Sequence, residues 1–380
     1  MTSTADSADR CPRCVMDLSD PDITIGPNSC SHCERATDLL GFLPASAEEE
    51  AERLGAIARK VIARRGVGSD YDCIVGLSGG VDSSYVALLA NGMGLRVLGV
   101  HFDNGWNSEI AVSNIESVCR GLNIDLMTYV INWEEFRDLQ RAFLKASVID
   151  VEMVTDHAIM AALFRLSGEQ KVPFILSGTN IATESIMPAT WVWPKQDLRN
   201  IRAIHRRFGS VPLATYPTLG IMRWTLARYT PLGPDYVELL NNVRYRRDAA
   251  IATLERDLGW RPYGGKHFES TFTRFYQAVL LPRKFKVDKR TAHLSNLIVN
   301  GEISRDDALD ELAKPSLSSD EVEADTRFVQ KKLGFTTEEF DRILDDEARR
   351  HDSYLSSARV LALTSGLRRT AKRRSLRPGS

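Results

Sequence analysis

The sequence predicts an α/β protein built on a parallel sheet, and two observations carry that prediction. Short apolar runs alternate with stretches of helical pattern from residue 71 to residue 178. Strands that alternate with helices form parallel sheets whose two faces are covered by those helices. The chain has 380 residues, of which 43% are hydrophobic, and this is enough for two or three domains with their own cores.

Ahead of the predicted sheet, four of the six cysteines form two close pairs. The pairs are "CPRC" (Cys11, Cys14) and "CSHC" (Cys30, Cys33), with the spacing C-x2-C-x15-C-x2-C. Such spacing is typical of a metal site rather than a disulfide framework, and four thiolates close a tetrahedral zinc site. We therefore predict a structural zinc module over residues 1–45. His32 could replace one of the cysteines as a ligand, but a role outside the metal site is favoured for it.

The next elements lead into the sheet. An amphipathic pattern over residues 46–70 predicts a connecting helix. Strands are then predicted at "YDCIVGL", "RVLGVHF", "DLMTYVI" and "PFILSG", with a helix from about Asp82 to Ala90 after the first. Because ligands of parallel sheets bind beyond the carboxyl ends of the strands, the loops after Leu77, Phe102 and Leu176 are the candidate site.

Charge and hydropathy exclude some functional classes. A formal net charge of −1 argues against a dedicated nucleic-acid binder, which needs a strong basic excess. No apolar run approaches the roughly 20 residues of a membrane span, and the N-terminus lacks the regions of a signal peptide. We expect a cytoplasmic protein with no membrane partner.

The loop "SGGVDSS" after the first strand has the composition of a phosphate cradle. Its glycines let the backbone close round an anion, its hydroxyls can donate to phosphate oxygens, and the following helix adds free N–H groups. The alternative is an ordinary tight connection from strand to helix. Asp82 favours the cradle, because a carboxylate beside phosphates indicates an intervening Mg²⁺.

This loop resembles the PP-loop of the N-type ATP pyrophosphatases. The resemblance implies that residues 71–230 form a domain with a Rossmann-like sheet of the adenine nucleotide alpha hydrolase (HUP) type. It also implies that this domain splits ATP into AMP and pyrophosphate while it activates a carbonyl oxygen. In that family the serines and glycines of the loop hold the pyrophosphate end and its aspartate binds magnesium. Those roles fall here on Ser78, Gly79, Gly80, Asp82, Ser83 and Ser84.

Two further loops supply candidates. "SGTNIATES" resembles a stretch of NAD synthetase whose glutamate binds a second magnesium, which makes Glu184 a metal and catalytic candidate, although an exposed glutamate in a capping loop is the alternative. Gly178 and Thr179 are expected to bind ATP, and Asn180 the acceptor. The stretch "HFDNGW" lies beside the same crevice. We expect Asp103 to bind ATP, and Asn104 and Trp106 to bind the acceptor.

Three stretches resemble the N-acetyl sugar amidotransferase family of cell-surface polysaccharide clusters: the cysteine pairs, "HFDNGW", and "GWRPYGGKHFESTFTRFYQ" followed by "KFKVDKRTAHLSNLI". The resemblance implies conversion of an acetamido group to an acetamidino group with ATP, Mg²⁺ and ammonia. Residues 231–290 are then a substrate-binding segment. Lys266 and His267 are expected to be catalytic, and Glu269 and Arg274 to orient the acceptor, unless this turn is ordinary surface.

Ammonia needs a source, and the chain offers no convincing glutaminase nucleophile, because Cys73 lies in a strand and Cys119 in a helix. The resemblance implies a separate glutaminase partner. Sulfur transfer to tRNA or a small molecule, amidation of a non-sugar metabolite, and nucleotide binding without turnover remain alternatives. Residues 291–358 are predicted as a helical C-terminal region and 359–380 as a basic tail, and the oligomeric state, monomer or homodimer, stays open.

Overall fold

A five-stranded parallel sheet forms the centre of the molecule. The computed structural model describes residues 9–229, 233–263, 268–358 and 360. The strands pair in the order β3-β2-β1-β4-β5, and each neighbouring pair is parallel. They are β1 Cys73–Gly76, β2 Val97–Asp103, β3 Asp125–Val130, β4 Phe174–Ser177 and β5 Asp235–Glu238. The predicted parallel sheet is confirmed, with a fifth strand that the short, charged run "DYVE" did not reveal.

Helices cover both faces of the sheet and build the rest of the chain. Those up to β5 are α1 Ser31–Leu40, α2 Ala47–Ala63, α3 Val81–Gly92, α4 Glu109–Leu122, α5 Trp133–Lys145, α6 Met153–Glu169, α7 Ile181–Glu184, α8 Leu198–Phe208 and α9 Ile221–Tyr229. Those after it are α10 Arg247–Leu258, α11 Thr271–Phe275, a π-helix at Tyr276–Phe285, α12 Arg290–Val299, α13 Arg305–Ala313, α14 Ser319–Leu333 and α15 Thr337–Asp345. The predicted helical C-terminal region is thereby confirmed.

The strand order places one crevice at the centre of the sheet. β1 is apolar throughout because it is buried on both faces, and the exposed fraction of Cys73, Ile74 and Val75 does not exceed 1%. The chain proceeds from β1 outward to β3 and then returns to place β4 on the other side of β1. Connections therefore leave β1 and β4 in opposite directions, which opens a crevice above their carboxyl ends.

The first helix after β1 begins one residue earlier than predicted and ends two later. Gly80 is its N-cap, Asp82 lies in its first turn, and the helix ends at Gly92. Gly94, with φ of +72°, then turns the chain toward β2. The free N–H groups of α3 thus point toward the crevice from the loop after β1.

The four-cysteine module packs against the C-terminal helices. Ser295 Oγ on α12 accepts a hydrogen bond from Val15 N at 3.2 Å, and Arg305 Nε donates to Cys14 O at 3.0 Å. The module is therefore part of the same core as the C-terminal region. None of the described helices combines the length and apolar character that a membrane crossing requires.

Candidate functional site

The loop after β1 is closed by its own hydrogen bonds. Ser78 Oγ and Ser83 Oγ lie 3.2 Å apart, and Ser83 Oγ donates to Gly80 O at 3.1 Å. Gly80 N donates to Ser78 Oγ at 3.2 Å. The two serines thus hold the ends of the loop together, and their hydroxyl groups stay at the mouth of the crevice. A ligand would find the loop already in its binding conformation.

Gly79 gives the loop its shape. Its φ is +80°, and an added Cβ would lie 2.3 Å from Ala111 O on α4. Its carbonyl oxygen accepts a hydrogen bond from Trp260 Nε1 at 3.0 Å. Only glycine meets both requirements, the left-handed backbone and the close approach of α4.

A cavity of about 240 Å³, here the phosphate cavity, lies against this loop. Gly80 faces it without a side chain, and a Cβ there would lie 3.2 Å from Tyr263 Oη and 3.3 Å from Glu269 Oε1. Three carboxylates and one guanidinium line a space of the size and polarity that a pyrophosphate group with a cation requires. The lining residues are Ser78, Gly80, Val81, Asp82, Ser83, Gly178, Glu184, Arg247, Tyr263 and Glu269.

Asp82 and Glu184, the two predicted magnesium ligands, both line the phosphate cavity. Gly178 brings their loops together, since an added Cβ there would lie 3.0 Å from the carbonyl carbon of Asp82. The Tyr245 hydroxyl donates a hydrogen bond to Asp82 Oδ1. Burial first, and then the neighbouring carboxylate, raise the pKa of Tyr245, so the phenol stays a donor that orients Asp82. Two carboxylates on one wall suit a hard cation such as Mg²⁺.

Asn180 positions Glu184 and does not itself line the phosphate cavity. It is buried, and its Oδ1 accepts hydrogen bonds from Thr183 N at 2.8 Å and Thr183 Oγ1 at 3.1 Å. It is therefore the N-cap of the short helix α7, which ends at Glu184. Thr179 is exposed and hydrogen-bonded to Ser177, and it does not line the phosphate cavity.

A second cavity of about 450 Å³, here the strand-end cavity, lies above the carboxyl ends of β1, β2 and β4. Ser78, Gly178 and Glu269 line both cavities, which therefore adjoin each other. The floor of the strand-end cavity is apolar, and Asn104 lies on its wall. The floor includes Leu77, Val100, Leu163, Ile175 and Leu176.

Several predicted residues have packing roles instead. Trp106 is 1% exposed, and its Nε1 donates to Gln140 Oε1 at 2.9 Å, so it belongs to the core and not to the crevice. Arg274 forms a bidentate pair with Asp325, at 2.7 and 2.6 Å, which ties α11 to α14. Asp103 Oδ1 accepts from Gly105 N at 2.8 Å and shapes its own turn.

Ser84 is also turned away from the phosphate cavity. It is 1% exposed, and its Oγ has no hydrogen-bond partner in the part of the chain that the structure describes. The predicted catalytic residues Lys266 and His267 lie outside the described residues. Of the six loop residues predicted to bind ATP, those that line the phosphate cavity are therefore Ser78, Gly80, Asp82 and Ser83.

Sequence reasoning missed a charged wall at the far end of the strand-end cavity. Lys195 Nζ lies 2.7 Å from Asp150 Oδ2 and 3.0 Å from Asp156 Oδ2. Glu152 and Lys289 line the same cavity. Burial raises the pKa of Glu152 and lowers the pKa of Lys289, so each charged form is disfavoured there. These residues come from three separate segments, at 150–156, 195 and 289, and no local motif connects them.

Arg247 is the other residue that the sequence did not reveal. It begins α10 and lines the phosphate cavity. Its guanidinium group is well suited to bind a phosphate. It makes no side-chain ion pair with any residue that the structure describes. The only signal in the sequence is the cluster of arginines in "NNVRYRRDAA", which is too common to indicate a site.

The four paired cysteines form a site that could hold a metal. Their sulfur atoms all lie within 4.8 Å of one another, with Cys11 and Cys33 at 3.8 Å and Cys14 and Cys30 at 3.9 Å. Zn–S bonds of about 2.3 Å in a tetrahedron separate the sulfurs by about 3.8 Å, so the arrangement fits zinc. His32 is a bystander, as favoured above, because its Nε2 lies 2.6 Å from Asp20 Oδ2.

The two isolated cysteines are buried and inert. Cys73 in β1 is 0% exposed, and Cys119 in α4 is 9% exposed. Burial raises the pKa of Cys73 to about 12 and that of Cys119 to about 11. Both thiols are protonated at neutral pH, and neither has the exposure or the positive surroundings of a reactive cysteine.

Two family models match parts of the chain. Residues 72–164, which contain the loop after β1, match "Queuosine biosynthesis protein QueC", a PP-loop family. Residues 269–368 match "LPS biosynthesis protein WbpG-like, C-terminal domain". These matches confirm the two resemblances expected from the sequence, to a PP-loop family around the loop after β1 and to a polysaccharide biosynthesis protein in the C-terminal region.

Solved structures that match this chain include three synthetases. They are NMN synthetase from Francisella tularensis (12% identity, TM-score 0.35, 80% of this chain and 97% of that chain), NH3-dependent NAD synthetase from Campylobacter jejuni (15%, 0.32, 76% and 96%) and NAD+ synthetase from Burkholderia pseudomallei (19%, 0.30, 60% and 99%). No curated protein matches the sequence significantly.

Proposed function

We propose that this protein is an ATP-dependent amidotransferase that converts the acetamido group of an N-acetyl sugar into an acetamidino group. We expect the sugar to be linked to a nucleotide. The observation that carries the proposal is the phosphate cavity, which the loop after β1 lines with Asp82 and the loop after β4 with Glu184, and which adjoins a larger cavity. The match of residues 269–368 to an LPS biosynthesis domain supports a sugar as the acceptor.

ATP would occupy the two adjoining cavities. The pyrophosphate end fits the phosphate cavity, where Ser78, Ser83 and the N–H groups at the start of α3 can donate to phosphate oxygens. Arg247 neutralises part of its charge, and Asp82 and Glu184 would hold the Mg²⁺ that supplies the remaining neutralisation. Adenosine then lies over the apolar floor of the strand-end cavity, near Leu77 and Leu176.

The chemistry follows from this placement. The α-phosphorus lies where the two cavities meet, beside Ser78, Gly178 and Glu269. The acetamido oxygen attacks that phosphorus and pyrophosphate leaves. Ammonia then adds to the activated carbon, AMP departs with the former amide oxygen, and one proton is released as the acetamidino group forms. Lys266 and His267 stay predicted catalytic residues of this reaction.

The ammonia would come from a separate glutaminase. Cys73 and Cys119 cannot serve as a glutaminase nucleophile, because burial keeps both thiols protonated and out of reach of a substrate. A partner protein that delivers ammonia is therefore part of the proposal.

Sulfur transfer is the second candidate, because the alternative PP-loop chemistry carries sulfur to an activated carbon. It requires a reactive thiol, and the same two buried cysteines argue against one in the PP-loop domain. The double variant C73S/C119S separates the two candidates. Amidotransferase activity should survive the double substitution, whereas sulfur transfer through either thiol would be lost.

The test of the main proposal is nucleotide product analysis. Purified protein is supplied with ATP, Mg²⁺, ammonium and a panel of UDP- and CMP-linked N-acetyl sugars, and AMP and ADP are quantified. AMP and pyrophosphate that form only with ammonium and one of the sugars would support the proposal and identify the acceptor. Formation of ADP, or AMP that forms equally without any sugar, would refute it.

A further inference from the structure

A third cavity, of about 330 Å³, meets both parts of the proposed ATP site. It shares Arg247 with the phosphate cavity, and it shares Gln277 and Lys289 with the strand-end cavity. Its volume lies in the range of about 300–1,000 Å³ that small-molecule sites occupy. The third cavity therefore adjoins each of the two cavities that ATP is proposed to occupy.

Lys289 at this junction is a buried lysine whose amine forms no hydrogen bond or ion pair with the described residues. It is 8% exposed, and within the described ranges its Nζ has no hydrogen bond and no ion pair. The closest interaction of Nζ is with the ring of Tyr276, whose centroid lies 4.9 Å away. The charges that act on it from the neighbouring elements are Glu152, Asp150, Asp156 and Lys195. Because Lys289 lines both cavities, a ligand bound in either one can accept a hydrogen bond from this amine.

Gln277 stands beside Lys289 on the same junction. Its side-chain amide also has no hydrogen bond to the described part of the chain, although it lines both cavities. It lies in the first turn of the π-helix Tyr276–Phe285, which carries Pro282. Helices of this kind are frequent at functional sites, because the wider turn places a side chain differently from an α-helix. The two residues together offer hydrogen bonds to a planar amide.

The walls of the third cavity suit a sugar ring. Leu294 and Leu297 on α12 present apolar surface that can pack against the C–H face of a pyranose. Arg290 makes the opposite wall rigid, because its guanidinium pairs with Asp288 at 2.7 Å and donates to Lys314 O at 2.8 Å. Most of this lining belongs to residues 269–368, the segment that matches the LPS biosynthesis domain.

We propose that the third cavity binds the N-acetyl sugar, with the ring against Leu294 and Leu297 and the acetamido group between Gln277 and Lys289. This inference rests on the proposed function and adds the location of the acceptor. The acetamido oxygen then points toward the strand-end cavity, while the rest of the sugar lies against the segment that matches the LPS biosynthesis domain.

Saturation-transfer NMR on the acetyl methyl group tests the location without any turnover. The probes are UDP-N-acetylglucosamine, UDP-N-acetylgalactosamine and CMP-N-acetylneuraminate, each with the full-length protein. We expect transfer to the methyl group of at least one probe, its loss in Leu297→Trp, which fills the cavity, and a weakening of binding by about tenfold or more in Lys289→Met. The matched control is Lys331→Met, an exposed lysine on α14, which should bind as the unmodified protein does.

The opposite results are equally informative. A fluorescent ATP analogue checks that every variant retains the ATP site and the fold. Unchanged methyl transfer in both Leu297→Trp and Lys289→Met would overturn the inference, and so would the absence of transfer from the unmodified protein to any probe. If a probe binds in this cavity but no AMP forms, the proposed reaction fails and the location stands. If AMP forms and its dependence on sugar is the same in both variants, the location fails and the reaction stands.

Discussion

The substitution Gly79→Ala should damage the ATP site through the backbone alone. Gly79 has φ of +80°, and an alanine there incurs about 1–2 kcal/mol for the left-handed conformation. Its Cβ would also lie 2.3 Å from Ala111 O, whereas ordinary contact begins at 3.4 Å. The loop and α4 must therefore separate by about 1 Å, a displacement that typically lowers the activity of a preorganised site by about 10²-fold.

Two measurements and one control follow from this. Urea unfolding should show a loss of at least about 1–2 kcal/mol, and equilibrium binding should show a much weaker affinity for ATP. The control is Gly92→Ala, at the other end of α3, where an added Cβ meets nothing within 4 Å. That variant should keep its ATP affinity and gain up to about 1 kcal/mol of stability. If Gly79→Ala binds ATP and unfolds as the unmodified protein does, the loop is not held as described.

Three further predictions test other parts of the site and fold. Arg247→Gln should weaken ATP binding about tenfold or more, because a phosphate loses a charged donor, whereas its exposed neighbour Arg246→Gln should leave the dissociation constant unchanged in the same titration. Burial would raise the pKa of Asp72, but hydrogen bonds from Arg96 and Arg65 outweigh it and lower the pKa to about 2. The carboxylate thus contributes about 2 kcal/mol of stability above its unfolded pKa near 4, and unfolding curves should lose it between pH 4 and pH 2 in the unmodified protein but not in Asp72→Asn. Removal of the predicted zinc by a strong chelator, followed by metal analysis and thermal unfolding, should lower the melting temperature and be reversed by Zn²⁺ alone.

The parts of the site that the sequence predicted are local. The conformation of "SGGVDSS" can be predicted from the stretch itself, since its glycines, its serines and the start of α3 lie within seven consecutive residues. The loop after β4 is local in the same way, and the strand order then brings Glu184 to Asp82. The four cysteines are predictable for the same reason, because each pair lies within one turn and the spacing itself indicates a metal.

The parts that the sequence missed depend on contacts between distant segments. Arg247 lies in no motif, and Lys289 lies within "KFKVDKRTAHLSNLI" without a role that the sequence assigns to it. Their positions beside the cavities appear only in the folded chain. Trp106 was misassigned for the converse reason. It follows a strand end, where ligand-binding residues are common, but Lys332 on α14 covers its ring at 4.7 Å and places it in the core.

The four-cysteine module has a structural reason to be present, although none of its described residues lines the three cavities. Its helix α1 contacts both α7 and α12, and Arg35 Nη2 donates to Ser185 O at 3.5 Å, directly after Glu184. Asn296 on α12 completes the connection, since its Oδ1 accepts from Ser185 Oγ and from Ile186 N, each at 2.8 Å.

One packed unit therefore sets the positions of the candidate magnesium ligand at the end of α7 and of Lys289 at the start of α12. A short segment rich in loops could not hold that unit by apolar burial alone, whereas four metal–thiolate bonds can. Loss of the predicted zinc should consequently affect the proposed ATP site and the proposed acceptor site together, and a variant that loses only one of them would place the defect outside the module.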